Sequence, residues 1–123
     1  MVVSLSAEEL EQIAAAREVV IETRSGGRVF RTVIWVAVAE EGVFVRSVRG
    51  GAGRWYQRAI SEPQVNLTVG DTRFRFTAVP ETGADSVDRA SEGFRGKYPK
   101  GRSLEAMLRS EVLDTTLLLE PLA

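Results

Sequence analysis

The most constraining feature of this sequence is the alternation from Gln64 to Val79. Val65, Leu67 and Val69 fall on one side of an extended segment, Gly70-Asp71 follows, and Phe74 and Phe76 then oppose Arg73 and Arg75 across a second one. A period of two means a strand with one buried face, and a two-residue Gly-Asp connection means an antiparallel hairpin. Other segments fit the same reading. Val19–Thr23 is β-branched, Ser25-Gly26-Gly27 is a tight turn, and Arg28–Ala39 reads as one long strand. Its second half is apolar on both faces, which predicts a central strand covered on both sides. Glu40-Glu41-Gly42 turns the chain into a strand over Val43–Val48, and a last strand covers Thr115–Glu120.

Helices account for the rest. Ser6-Ala-Glu-Glu9 is a capping box that starts a helix running to about Ala16. A short helix is expected from about Trp55 to Ile60, one from Asp85 to Tyr98 ended by Pro99, and one from Leu104 to Ser110. The order predicts a mainly β, α+β fold: six mostly antiparallel strands in a small, closed or nearly closed barrel packed by helices, as a single domain over residues 1–123.

Composition restricts the chemistry. With no cysteine and no histidine, thiolate nucleophiles, Ser-His-Asp catalysis and the usual zinc sites are excluded, and no metal site is expected. An enzyme built this way needs a bound cofactor for its difficult step. No apolar run approaches the roughly 18 residues of a membrane span, and the N-terminus has no signal-peptide pattern. The expectation is therefore a cytoplasmic protein without a membrane partner. A net charge of −1 disfavours nucleic acid, the reading in which Trp55 and Tyr56 would form a stacking groove.

The arginines are unevenly placed. Between Glu41 and Glu62 stand Arg46, Arg49, Arg54 and Arg58 with no acid among them, around Gly50, Gly51 and Gly53. Glycines let backbone N–H groups approach an anion, a following helix start adds its positive end, and Ser47 offers a hydroxyl donor. These are the parts of a phosphate cradle, with a solvated glycine loop as the alternative. Arg31 and Trp35, four apart on one strand, could share a face and wall a pocket for a conjugated ring, although a tryptophan there can equally fill the barrel. Tyr56 and Tyr98 could border a substrate opening, and Tyr98 can equally be an anchor. No carboxylate pair supports acid–base hydrolysis, and no catalytic residue is identifiable.

Thr32-Val-Ile-Trp-Val-Ala-Val, then Val43-Phe-Val-Arg-Ser-Val-Arg-Gly-Gly-Ala-Gly-Arg-Trp-Tyr, then Ser61-Glu-Pro-Gln-Val-Asn-Leu-Thr-Val resembles the split β-barrel flavoproteins of the pyridoxamine-phosphate-oxidase-like superfamily. Thr23-Arg-Ser-Gly-Gly with Arg31, and Trp55-Tyr56, resemble its deazaflavin-dependent nitroreductases. The likeness over residues 19–79 points to an uncharacterised bacterial family within this group. It implies a six-stranded antiparallel split β-barrel with peripheral helices, and a homodimer with FMN or a deazaflavin coenzyme near the interface. The phosphate would lie on Arg46, Ser47, Arg49, Gly50, Gly51 and Arg54, near Trp55, and the ring against Arg31, Val33 and Trp35. Arginine at position 54 and Arg58 depart from that pattern. The implied function is an oxidoreductase passing a hydride or electron pair to a small organic substrate. The alternative is a non-catalytic module that holds a flavin-like or other anionic ligand. Alanine at Arg46 and Arg54 is expected to weaken binding and leave the fold largely intact.

Overall fold

The structure, a computed structural model, describes residues 4–122. Helix α1 (Ala7–Ala15) opens with the capping box: Glu9 N–H donates to Ser6 Oγ (3.1 Å) and Ser6 N–H to Glu9 Oε1 (2.8 Å). Strands β1 (Val19–Ser25) and β2 (Arg28–Ile34) form a hairpin in which Ser25 faces Arg28. Both residues between them, Gly26 and Gly27, have positive φ, as a two-residue turn of this hand requires.

The long strand expected from Arg28 to Ala39 is two strands. It breaks at Trp35 and Val36, and β3 (Ala37–Ala39) then pairs with β4 (Gly42–Val45). A 3-10 turn (Gly50–Ala52) and helix α2 (Arg54–Ser61) lead to the hairpin of β5 (Gln64–Val69) and β6 (Thr72–Pro80). Helices α3 (Ala84–Lys97), α4 (Arg102–Leu108) and α5 (Ser110–Leu113) precede β7 (Leu117–Pro121).

All seven strands join one antiparallel sheet in the order β2-β1-β5-β6-β7-β4-β3. The break in the long strand dictates the shape. β2 and β3 lie at opposite edges of the sheet yet are joined by two residues, which can span only about 10 Å. The sheet must therefore curl until its edges meet at Trp35–Val36. Away from that corner the edges diverge, so the barrel is split along β2. This corrects the expected strand count from six to seven. It also corrects the expectation of a covered central strand, since β2 is an edge strand whose Val33 is 61% exposed.

The interior is filled from both curled halves, with Ile21, Leu67, Phe76, Val45 and Leu117 buried and Ile13 of α1 closing one end. A second apolar cluster of Phe94, Tyr98, Leu104 and Met107 packs α3 and α4 against Ala37. Lys97 and Tyr98 pin the corner between the edges. Lys97 Nζ donates to the Val36 carbonyl (2.7 Å), Val36 N–H donates to Tyr98 Oη (3.2 Å), and Tyr98 Oη donates to the Arg17 carbonyl (2.6 Å).

Candidate functional site

The split in the barrel is a cavity of about 850 Å³. One wall is the free edge of β2, with Phe30, Thr32, Val33, Ile34 and then Trp35. A second is the segment after β4, from Arg46 to Arg49, together with Gly53, Arg54, Trp55 and Arg58 of α2 and its cap. The third is one face of α4, and Glu18 supplies the sole carboxylate of the lining. Five arginines line this space, at positions 46, 49, 54, 58 and 102.

Arg46 is the largest fully buried side chain among the described residues, 1% exposed. Its Nε donates to Thr116 Oγ1 (2.8 Å), Nη1 to the Met107 carbonyl (3.2 Å) and Nη2 to the Val87 carbonyl (2.8 Å). The guanidinium also lies 5.5 Å from the Phe94 ring centroid. It has no carboxylate partner among the described residues. Burial, and then the nearby positive charge of Arg95, push its pKa down to about 10, so it is still a cation at neutral pH. A guanidinium has five N–H donors, so two remain beyond the three used here. Arg46 therefore ties the end of β4 to α3, α4 and the start of β7. This corrects the expectation that its replacement would leave the fold largely intact.

Ser47 follows, 1% exposed. Its N–H donates to Thr115 Oγ1 (3.0 Å), but its hydroxyl has no partner among the described residues. Gly53 lies directly against this hydroxyl, and a Cβ there would collide with Ser47 Oγ. Gly53 also caps α2 without offering a side chain. The first intrahelical bond runs from Gln57 N–H to the Gly53 carbonyl (3.0 Å), so the amides before it are free by helix geometry. An unpartnered hydroxyl, a helix start without a capping group and a glycine kept bare thus meet at one point.

Arg49 and Arg54 are exposed at this end of the cavity. Arg58 is held in place: Nε donates to Thr23 Oγ1 (2.9 Å) and the guanidinium lies 4.1 Å from the Phe30 ring centroid. Trp55 is buried and contributes to both the core and the cavity wall.

Other residues singled out in the sequence lie elsewhere. Gly50 and Gly51 do not line the cavity. Gly50 has φ +65° and its N–H is used by the Ser47 carbonyl (2.9 Å), so it shapes the turn. Arg31 points to the opposite face of β2, where Nε pairs with Glu22 Oε2 (2.7 Å). Trp35 does reach the cavity, because the strand ends at Ile34 and the four-residue spacing no longer fixes its face. Its ring stacks on Tyr98, 3.7 Å between centroids and 3° between planes. Tyr98 is 4% exposed and anchors the corner behind Trp35, outside the cavity lining. Tyr56 packs against the main core, edge-on to Trp55.

Sequence reading missed the α4 wall, Arg102, Ser103, Ala106 and Met107. The local signal was the basic run Lys97-Tyr-Pro-Lys-Gly-Arg102, but nothing in it reveals that α4 folds over the split.

A seven-stranded antiparallel sheet curled into a split barrel, with helices closing one side, is a fold shared with solved pyridoxamine-phosphate-oxidase-like structures. The chain belongs to the family described as "Uncharacterized protein conserved in bacteria (DUF2255)", whose model matches residues 9–119. No curated protein matches the sequence. Three solved structures share the fold. The heme storage protein HutZ from Vibrio cholerae is 14% identical with a TM-score of 0.72, the match covering 98% of this chain and 92% of HutZ. A pyridoxamine 5'-phosphate oxidase-like protein from Listeria innocua is 12% identical with a TM-score of 0.68, covering 94% and 92%. An F420-H2 dependent reductase, FDR-A, is 17% identical with a TM-score of 0.66, covering 85% and 94%. Among the described residues no helix is long and apolar enough to cross a membrane.

Proposed function

We propose that this protein binds a flavin-type cofactor, FMN or a deazaflavin coenzyme, in the split of its barrel and uses it to reduce a small organic substrate. The observation that carries this reading is the buried, unneutralised Arg46 beside the unpartnered Ser47 hydroxyl. A buried cation without a counter-ion is costly, and so is an unsatisfied buried hydroxyl. A phosphate between them and the start of α2 would relieve both. The residues therefore fit the phosphate of such a cofactor: Ser47 and the α2 amides as donors, Arg49 and Arg54 as charge, Arg46 as a fixed cation behind. Phe30, Ile34 and Trp35 offer apolar surface for a ring system. When bound, the cofactor supplies hydride or electron-pair chemistry, and the chain's task is to hold it and exclude water.

The test is titration of the purified protein with FMN and with a deazaflavin coenzyme, followed by absorbance and thermal stability. Saturable binding that Arg54→Ala weakens supports the reading, and no binding of either compound rejects it.

A second reading, ligand holding without turnover, draws on the absence of lysine, histidine and cysteine from the lining, where Glu18 is the lone carboxylate. The fold likeness to a heme storage protein is compatible with it. Tight binding with no turnover of a panel of acceptors by the reduced cofactor would favour this alternative.

We further propose that the protein is a homodimer. The free edge of β2, with Val33 61% and Val48 47% exposed at the mouth of the cavity, leaves a ring ligand half uncovered unless a second copy closes the opening. A monomeric mass by light scattering, with and without cofactor, would reject this.

A further inference from the structure

We propose that the cavity holds a second anion subsite, formed by Arg102 and Ser103 of α4, that receives a carboxylate. The proposal rests on the phosphate reading of the Ser47–Arg54 end, and its test is arranged so that the two can fail separately.

Charge is the first support. Five arginines and one carboxylate give the lining a net charge of about +4, whereas one phosphate monoester carries only about −1.5 to −2. Roughly two positive charges are left over. They are not used by the protein itself, because neither Arg58 nor Arg102 has a carboxylate partner among the described residues.

Placement is the second support. On α4 the cavity-lining residues recur at positions 102, 103, 106 and 107, which is one helix face. Met107 gives its carbonyl to Arg46, so it marks the deep end of the cavity. Arg102 lies five residues earlier, about 7–8 Å from Met107 along the axis. The planar fork of Arg102 suits a carboxylate, and the Ser103 hydroxyl adds a donor. Size is the third support, since about 850 Å³ is near the upper end of the roughly 300–1,000 Å³ usual for small-molecule sites.

The carboxylate could belong to a separate substrate or to the cofactor itself. Two probes separate these sources: benzoate added to the FMN-loaded protein, and a deazaflavin coenzyme bearing glutamyl carboxylates compared with its tail-free phosphate form. Affinities are read from tryptophan fluorescence and calorimetry for wild type, Arg102→Ala and Arg54→Ala. The expected result is that Arg102→Ala weakens at least one carboxylate probe by about tenfold or more, with FMN affinity within about twofold of wild type. Arg54→Ala should show the reverse pattern. Dependence on Arg102 for benzoate identifies a separate substrate, and dependence only for the tailed coenzyme identifies the cofactor's own acid.

The proposal is overturned if wild type binds neither carboxylate probe, if Arg102→Ala binds them like wild type, or if Arg102→Ala weakens FMN equally. If wild type fails to bind FMN but binds a carboxylate probe through Arg102, the subsite stands and the phosphate reading falls. Arg102 is exposed, so an unchanged melting temperature in Arg102→Ala serves as the folding control.

Discussion

Replacing Arg46 with methionine removes a buried cation that bonds to three separate elements. Thr116 Oγ1 and the carbonyls of Met107 and Val87 each lose a donor. At roughly 1–2 kcal/mol per acceptor the loss is about 3–6 kcal/mol. Relief of the cation's desolvation returns roughly 2 kcal/mol, since methionine keeps most of the apolar stem packed. The net destabilisation is then about 1–4 kcal/mol. For a chain of this size, roughly 4 °C per kcal/mol gives a fall in melting temperature of about 4–16 °C without ligand. The assay is thermal unfolding followed by circular dichroism, with and without FMN at about 100 times its Kd, where a bound ligand adds about 2.7 kcal/mol to wild type. That increment should shrink in the variant. A methionine variant as stable as wild type without ligand would refute the bracing role, and an undiminished increment with FMN would refute the electrostatic one.

Gly53→Ala should block the cradle, because the new Cβ collides with Ser47 Oγ. The cost of overpacking is about 1–3 kcal/mol, and Ser47→Ala in the same chain should recover much of that stability without recovering FMN affinity, as thermal melts and FMN titration would reveal. Arg54→Ala, at an exposed position, should lower FMN affinity about tenfold or more with little change in melting temperature, and calorimetry measures both affinity and stoichiometry. Burial lowers the Lys97 pKa to about 8 from its ordinary 10.5. Between those values the unfolded chain holds the proton and the folded one does not, so stability should rise from pH 8 towards 10. Lys97→Met should lose that rise; melting curves across the window that stay parallel for the two proteins would refute it.

Much of the fold was legible because its signals are local. The Ser6/Glu9 capping box needs only four residues, and the β5–β6 hairpin needs only alternation around Gly70-Asp71. The break at Trp35–Val36 was not legible. Residues 33–38 are uniformly apolar, and such a run does not distinguish a covered strand from a strand that leaves one sheet edge and starts the other. The error carried into the site. With the strand ended at Ile34, Arg31 faces Glu22 on the far side and Trp35 swings into the cavity, so the inferred pair is divided. The Val43–Arg58 segment was visible as a phosphate-binding candidate from its charge and glycines. The separation of roles within it was not, because burial of Arg46 depends on acceptors at positions 87, 107 and 116, far away in sequence. Arg102 was missed for the same reason.

The most direct measurement of the central claim is a spectral titration of the purified protein with FMN and a deazaflavin coenzyme, wild type beside Ser47→Ala and Arg54→Ala. The expected result is saturable binding of at least one cofactor by wild type, with a shifted visible spectrum, and about tenfold or greater weakening in each variant. Absence of binding to wild type, or equal affinity in all three proteins, would contradict a phosphate cradle at the split of the barrel.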